Sequence, residues 1–429
     1  MRLLEVEFLH NRGWNVERSS AMVGPETLSS IAERFGTPLY LYDGNIILDR
    51  AAKVQRAFPM FEVLYSIKAN PNPAVVEILL SSGLSAGVSS YDELMLVLRL
   101  GFPPDRIALG GPAKRRETLI AAVEANVGMI NVESKTELTI LDEIAGQHRR
   151  EMPVGLRVNT THRPRVASEF MAGGPSQFGI DEEKVVEELR GLKLSHIRYE
   201  GIHTFVASQV LDEQSLIRHF GRVADISKDL ADRLGFPLRL INFGGGFGVP
   251  YSPDAPALDI ELLGATVAGT LQQAFPRGSE TPKFAVEVGR YLVAESGVFL
   301  TQILDVKRSR GHDYVIVDSG INGMSRPAMR WAQEHPTTIV SKVAAEPTGT
   351  YNLVGPTCMP SDALCESVAL ADPQPGDIVG IFNAGAYGYT MSMLLWASQP
   401  LPVEVLFHDG VFSVIRKRIK PSEFLVECL

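Results

Sequence analysis

From about residue 45 to residue 290 the chain repeats one pattern: a short apolar run, then an amphipathic helical stretch. The runs are Phe61–Ser66, Arg106–Leu109, Gly128–Val132, Val154–Asn159, Tyr199–Phe205, Leu238–Phe243 and Lys283–Val286. Helical patterns lie between them at Pro73–Ser82, Ser90–Gly101, Lys114–Asn126 and Ser134–Gln147. A strand every ~25–45 residues with a helix in the gap requires a parallel sheet, because parallel strands need long crossovers. Seven or eight such strands favour a closed (β/α)8 barrel over an open sheet.

After Arg290 the pattern changes to strands with few helices between them, at 296–307, 313–318, 337–343, 377–382, 402–407 and 410–416. The opening residues read as strand, and Thr37-Pro38-Leu39-Tyr40-Leu41-Tyr42 reads as a further strand of the same region. The expected organisation is therefore a barrel over 45–290 and a discontinuous, mainly β domain made of 1–44 and 291–429. At 429 residues the chain is long enough for both.

Composition excludes several classes. The net charge of −9 and the absence of any basic tract longer than Lys114-Arg115-Arg116 argue against a nucleic-acid partner. No stretch approaches the ~20 apolar residues that span a bilayer, and Glu5 and Glu7 break up a leader sequence. The three cysteines, Cys358, Cys365 and Cys428, have neither metal-type nor disulfide-framework spacing, so no metal and a reducing cytoplasm are expected.

Chemistry-bearing residues fall where the apolar runs end, which on a barrel is the active face. Lys68 follows Val63-Leu64-Tyr65-Ser66-Ile67 and precedes the turn Ala69-Asn70-Pro71-Asn72. Such a lysine either snorkels to water or, if burial lowers its pKa, forms a Schiff base with an aldehyde cofactor such as pyridoxal phosphate (PLP). Gly244-Gly245-Gly246 follow another run; they are a flexible turn or a backbone cradle for phosphate. In Glu287-Val288-Gly289-Arg290 the charged groups either pair with each other or serve a cofactor. In the second case Glu287 keeps a pyridine nitrogen protonated and Arg290 bonds the phosphate. His203 is a structural histidine or a ring stacked on the cofactor, with Ser208 a phosphate donor nearby. Cys358, in Gly355-Pro356-Thr357-Cys358, and Tyr387, in Gly385-Ala386-Tyr387-Gly388, carry no role on their own.

Taken in order, these segments resemble the PLP-dependent decarboxylases of the alanine racemase-type fold (fold type III), which include diaminopimelate and ornithine decarboxylases. The likeness runs from Phe35-Gly36-Thr37-Pro38 to Gly385-Ala386-Tyr387, nearly the whole chain. It implies that Lys68 holds PLP, His203 covers its ring and Glu287 meets the ring nitrogen. It also implies that Ser208, Gly244, Gly245, Gly246, Gly289, Arg290 and Tyr387 surround the phosphate. Family members are typically homodimers with shared active sites, so Cys358 of the partner subunit would return a proton to the substrate α-carbon. A loop near Phe170–Phe178 would cover the site.

Departures bear on the substrate. The acid that commonly follows the cysteine in diamine-forming members is Met359 here, with Asp362 nearby as a substitute. Arg326-Pro327-Ala328 resembles a segment that binds the substrate carboxylate, but the aromatic expected near its end is Arg330. With Tyr387, these residues form the expected substrate contacts. An unpaired buried ammonium would be costly, so the substrate expected is an amino acid or an amino-acid conjugate with a neutral or anionic distal group. The segments 358–362 and 175–179 resemble the branch that acts on amino acids tethered to carrier proteins. The alternatives are a racemase of the same fold, disfavoured because such racemases set an arginine against the ring nitrogen, and a silent PLP-binding homologue, disfavoured by Lys68 and Cys358.

Overall fold

The computed structural model describes residues 2–162, 169–276, 281–328 and 335–425. The chain divides into two compact units, Arg50–Val249 with Ala257–Tyr291, and Met1–Asp49 with Pro250–Pro256 and Leu292–Leu429.

The first unit is the barrel. Its strands are β1 (Phe61–Ser66), β2 (Ser85–Val88), β3 (Ile107–Leu109), β4 (Met129–Val132), β5 (Met152–Asn159), β6 (Ile197–His203), β7 (Leu240–Asn242) and β8 (Lys283–Val288). Each pairs in parallel with its neighbour in sequence; β8 pairs with β1, as Phe284 with Phe61, which closes the ring. The helices start where side chains cap them: Asn72, Ser90, Ser134, Asp212 and Asp259 each accept a backbone N–H of the first turn.

Alternation along the strands builds the floor and the mouth. Leu64, Ala108, Met129 and Ala285, with Leu240 against them, fill the interior. Two residues further along, on the same side of their strands, come Ser66, Glu287 and Asn242. An apolar plug therefore underlies a polar layer at the C-terminal ends of the strands, the usual place for barrel chemistry.

In the second unit the long strand Gly297–Ser309 pairs antiparallel with Leu39–Asp43, His312–Val317 and Ile378–Phe382. Val403–His408 runs parallel to Leu39–Asp43. Trp14, Leu39, Leu41, Val298, Leu300, Phe382 and Val405 belong to its core. Two strands absent from the sequence reading, Gly349–Val354 and Ala363–Leu370, pair antiparallel and carry Cys358 in the connection between them. The opening residues are corrected as well: Arg2–His10 is a helix. Glu5-Val6-Glu7-Phe8 alternates like a strand, but Phe8 and Leu9 are adjacent and both buried, which one helix face allows and one strand face does not. No described helix is long and apolar enough to cross a membrane.

Leu64 is 3% exposed on the barrel floor. Leu64→Ala should lower stability by about 2–5 kcal/mol, read as an earlier urea midpoint in far-UV circular dichroism.

Candidate functional site

Lys68 sits on a single 3₁₀ turn, Ile67–Ala69, directly after β1. The turn is fastened from both sides: Tyr65 Oη donates to Asn70 O at 2.8 Å, and Asn70 Oδ1 accepts from Asn72 N at 3.1 Å. Of the two readings of Lys68, one buried and one reaching to water, its exposure fits the second. Ile67 and Ala69 are buried while Lys68 is exposed, so its amine is open to the cavity it lines. The chain leaves the strand at Ser66, and the turn rotates the lysine out of the packed wall.

That cavity, of about 250 Å³, is lined by Lys68, His203, Phe205, Glu287, Arg157, Met171 and Phe178 among others. Lys68 Nζ lies 5.4 Å from the centroid of the Phe205 ring. His203 Nε2 is 3.3 Å from Glu287 Oε1, both at the ends of barrel strands. Burial alone would raise the Glu287 pKa from its ordinary value of 4.5. The neighbouring His203, the positive Lys68 and the hydrogen-bonding Asn242 amide overcome that and hold it at about 2.

Asn242 is the residue that sequence reasoning missed. It is 2% exposed; its Nδ2 donates to Glu287 Oε1 at 2.9 Å and its Oδ1 accepts from Gly244 N at 2.9 Å. One amide thus ties the carboxylate to the glycine loop. The signal was available, since Asn242 ends an apolar run as Glu287 does, two residues before Gly244. Arg157 was missed as well. It donates to Glu133 Oε1 at 2.6 Å and lies 4.8 Å over the Phe178 ring, while the other Glu133 oxygen accepts from Gly179 N at 3.0 Å.

The three glycines are required by close approach. A Cβ on Gly244 would stand 2.2 Å from Thr204 O, one on Gly245 1.7 Å from Glu287 O, and one on Gly246 2.4 Å from Ala207 O. The loop therefore packs closely on the end of β8 and on the segment that follows β6. Beside it, buried Arg290 donates from Nη2 to Ser208 Oγ at 3.2 Å, with Gly289 as its link back to the Glu287 strand. The segment around Phe170–Phe178 is anchored here too: Glu169–Phe170 pairs with Ala207–Ser208, and Met171 and Phe178 wall the cavity.

The remaining candidates lie in the second unit. Cys358 is exposed and a free thiol. Met359 follows it, half-buried. Asp362, expected to face a substrate, is 3% exposed and turns its carboxylate inward. Its Oδ1 accepts from Ile321 N at 2.7 Å, and its Oδ2 from Thr357 N at 2.9 Å and Thr357 Oγ1 at 2.5 Å. Arg326 is buried, its Nε donating to His335 Nε2 at 3.2 Å and its guanidinium 4.8 Å over the Tyr251 ring. Tyr387 is half-buried in a turn with φ of 56°. Arg330 lies outside the described residues.

Comparison with known proteins bears on the family. Residues 45–294 match the profile of the pyridoxal-dependent decarboxylase pyridoxal binding domain. The chain is 32% identical over 401 residues to the L-glutamyl-[BtrI acyl-carrier protein] decarboxylase of Niallia circulans, covering 91% of this chain and 93% of that one. It is also 32% identical to the diaminopimelate decarboxylase of Aquifex aeolicus, with 94% and 93% covered. The crystal structure of diaminopimelate decarboxylase from M. jannaschii superposes with a TM-score of 0.89 at 27% identity, over 98% of each chain.

A carboxyl held near 2 against 4.5 when unfolded contributes stability that is complete above about pH 4.5 and lost as pH falls through 2. The wild type should therefore lose on the order of 3 kcal/mol more than Glu287→Gln across that window. Urea titrations of both proteins at stepped pH check this; parallel curves would refute it.

Proposed function

The chain belongs to the family of pyridoxal-dependent decarboxylases, and we propose that its substrate is an amino acid whose distal end is joined to a carrier rather than left as a free ammonium. It is a PLP-dependent amino-acid decarboxylase of the alanine racemase-type fold. The barrel mouth fits the cofactor. Glu287, held ionised, suits a protonated pyridine nitrogen. His203 Nδ1 is buried without a hydrogen-bond partner among the described residues, as a ring reserved for a ligand face would be. Gly246 packs on Ala207, next to the Ser208–Arg290 pair, which gathers backbone, hydroxyl and guanidinium in the way phosphate requires.

Pyridoxal phosphate, when bound, supplies an electron sink for the charge left on the α-carbon as CO2 departs. Lys68 Nζ would bind its aldehyde carbon. His203 would cover one face of the ring and Glu287 would hold the proton on the ring nitrogen, with Asn242 and His203 keeping that carboxylate charged and aimed. Gly244–Gly246, Ser208 and Arg290 would bind the phosphate. Met171 and Phe178 narrow the cavity against water. Cys358 of the partner subunit delivers a proton from Sγ to the α-carbon, in a homodimer with shared sites. A reducing cytoplasm, in which the exposed Cys358 would stay a thiol, is the compartment proposed.

The observation that carries the substrate proposal is the commitment of Asp362. It is the sole carboxylate among residues 355–362, and both its oxygens are engaged by Ile321 and Thr357. With Met359 beside Cys358, that loop offers a distal ammonium no counter-charge, and leaving one unpaired is costly. The name of the Niallia circulans relative, which acts on a carrier-borne glutamyl group, supports the same reading. The Aquifex relative favours the second reading, meso-diaminopimelate, at equal identity.

Two experiments test this. Lys68→Ala should abolish the visible absorbance of protein-bound cofactor, whereas Cys358→Ala should retain it and lose amine formation; full turnover by Cys358→Ala would remove that residue as the acid. CO2 release should be measured from meso-diaminopimelate, lysine, ornithine, arginine, glutamate and a glutamate thioester or amide conjugate. Turnover confined to the conjugate is expected, and efficient turnover of meso-diaminopimelate would overturn the tethered-substrate reading.

A further inference from the structure

Cys358 is exposed, so packing does not hold its side chain in place. What fixes it is the backbone on either side, and that backbone converges on Asp362. Thr357, the residue before the cysteine, donates to Asp362 Oδ2 from both its N–H and its hydroxyl, at 2.9 and 2.5 Å. On the other side, Asp362 N donates to Met359 O at 3.0 Å, closing a tight turn that contains Pro360 and Ser361. Asp362 O accepts from Gly355 N at 2.9 Å, which shuts the loop at its base. Residues 355–362 are thus wound around one buried carboxylate.

The same carboxylate reaches beyond its own loop. Its Oδ1 accepts from Ile321 N at 2.7 Å, in the segment that leads to Arg326. Ile321 O in turn accepts from Ser325 Oγ at 2.6 Å and from Met393 N at 3.2 Å. Ser325 N donates to Ser392 Oγ at 3.0 Å, and Ser392 Oγ donates to Gly388 O at 2.8 Å, next to Tyr387. An unbroken run of hydrogen bonds therefore joins the Cys358 loop, the Arg326 segment and the Tyr387 turn, with Asp362 as its charged member.

The fit around Asp362 leaves no slack. A Cβ on Gly320 would stand 1.9 Å from Asp362 Oδ1, and a Cβ on Gly355 would stand 2.4 Å from it and from Gly320 Cα. Two backbones are brought together to enclose the carboxylate, and only glycines allow that approach. Three donors on one buried carboxylate are charge-assisted bonds, stronger than neutral ones, and deleting their acceptor would leave three donors to be satisfied elsewhere.

We propose that Asp362 is a positioning residue: it sets the place of Cys358 relative to the Arg326 and Tyr387 segments and does not contact the substrate's distal group. This rests on the reading of Cys358 as the proton donor. Misplacing an acid by about 1 Å can cost about 100-fold in rate, and the loss falls on kcat because the barrel residues that bind cofactor and amine are untouched.

The test uses the PLP-loaded protein and whichever substrate of the panel is turned over, with Asp362→Ala, Thr357→Val and Cys358→Ala compared to wild type. Asp362→Ala should lower kcat on the order of 10–100-fold with KM and bound-cofactor absorbance nearly unchanged. Thr357→Val removes one of the three donors and should lower kcat about 3–10-fold, which keeps the proposal testable if Asp362→Ala does not fold. An increase in KM for Asp362→Ala with kcat preserved would mark a direct substrate ligand and overturn the proposal. Unchanged kcat in Thr357→Val together with a folded, fully active Asp362→Ala would overturn it as well. Should Cys358→Ala alone keep full turnover, the reading beneath the proposal fails; should Cys358→Ala be inactive while the other two variants match wild type, only the positioning role fails.

Discussion

A negative charge kept almost out of water is the constraint on which the barrel site depends. Glu287 stays ionised at the mouth because His203, Lys68 and Asn242 together outweigh the cost of its burial. Each of those partners is delivered by a different strand or turn, so the charge is secure only when β1, β6, β7 and β8 are all in register. Register in turn rests on the apolar plug of Leu64, Ala108, Met129 and Ala285, since a slip of one residue would exchange inward and outward side chains. Hydrophobic burial at the floor and electrostatics at the mouth are therefore two readings of the same alternation.

Much of this was legible in the sequence because each element carries a local physical signal. Polar caps such as Ser90 and Ser134 mark helix starts, and the apolar runs mark buried parallel strands. Lys68, His203, Gly244–Gly246, Glu287 and Arg290 could be found because each ends such a run. What was not legible depended on tertiary contacts. The exposure of Lys68 follows from a single 3₁₀ turn that the apolar run conceals. The helix Arg2–His10 was masked by a chance alternation of acids and hydrophobes. The strands Gly349–Val354 and Ala363–Leu370 are short on continuous apolar pattern and are held by pairing with each other.

Asp362 illustrates the limit most clearly. Its position in the chain, four residues after Cys358, invites a role facing the substrate. Only the fold reveals that its lone pairs are taken by Ile321 and Thr357. Chemical type and spacing narrow a residue to a few roles; the direction in which its side chain points selects among them.

Asn242 has a polarity that an aspartate in its place would lack. Its donor end must face Glu287 and its acceptor end must face Gly244 N, and the amide can satisfy both only in one orientation. A proton arriving on Glu287 would turn that oxygen from acceptor toward donor and set it against the amide hydrogens. The glycine loop is thereby linked, through one amide, to the protonation state of a carboxylate it does not touch by side chain.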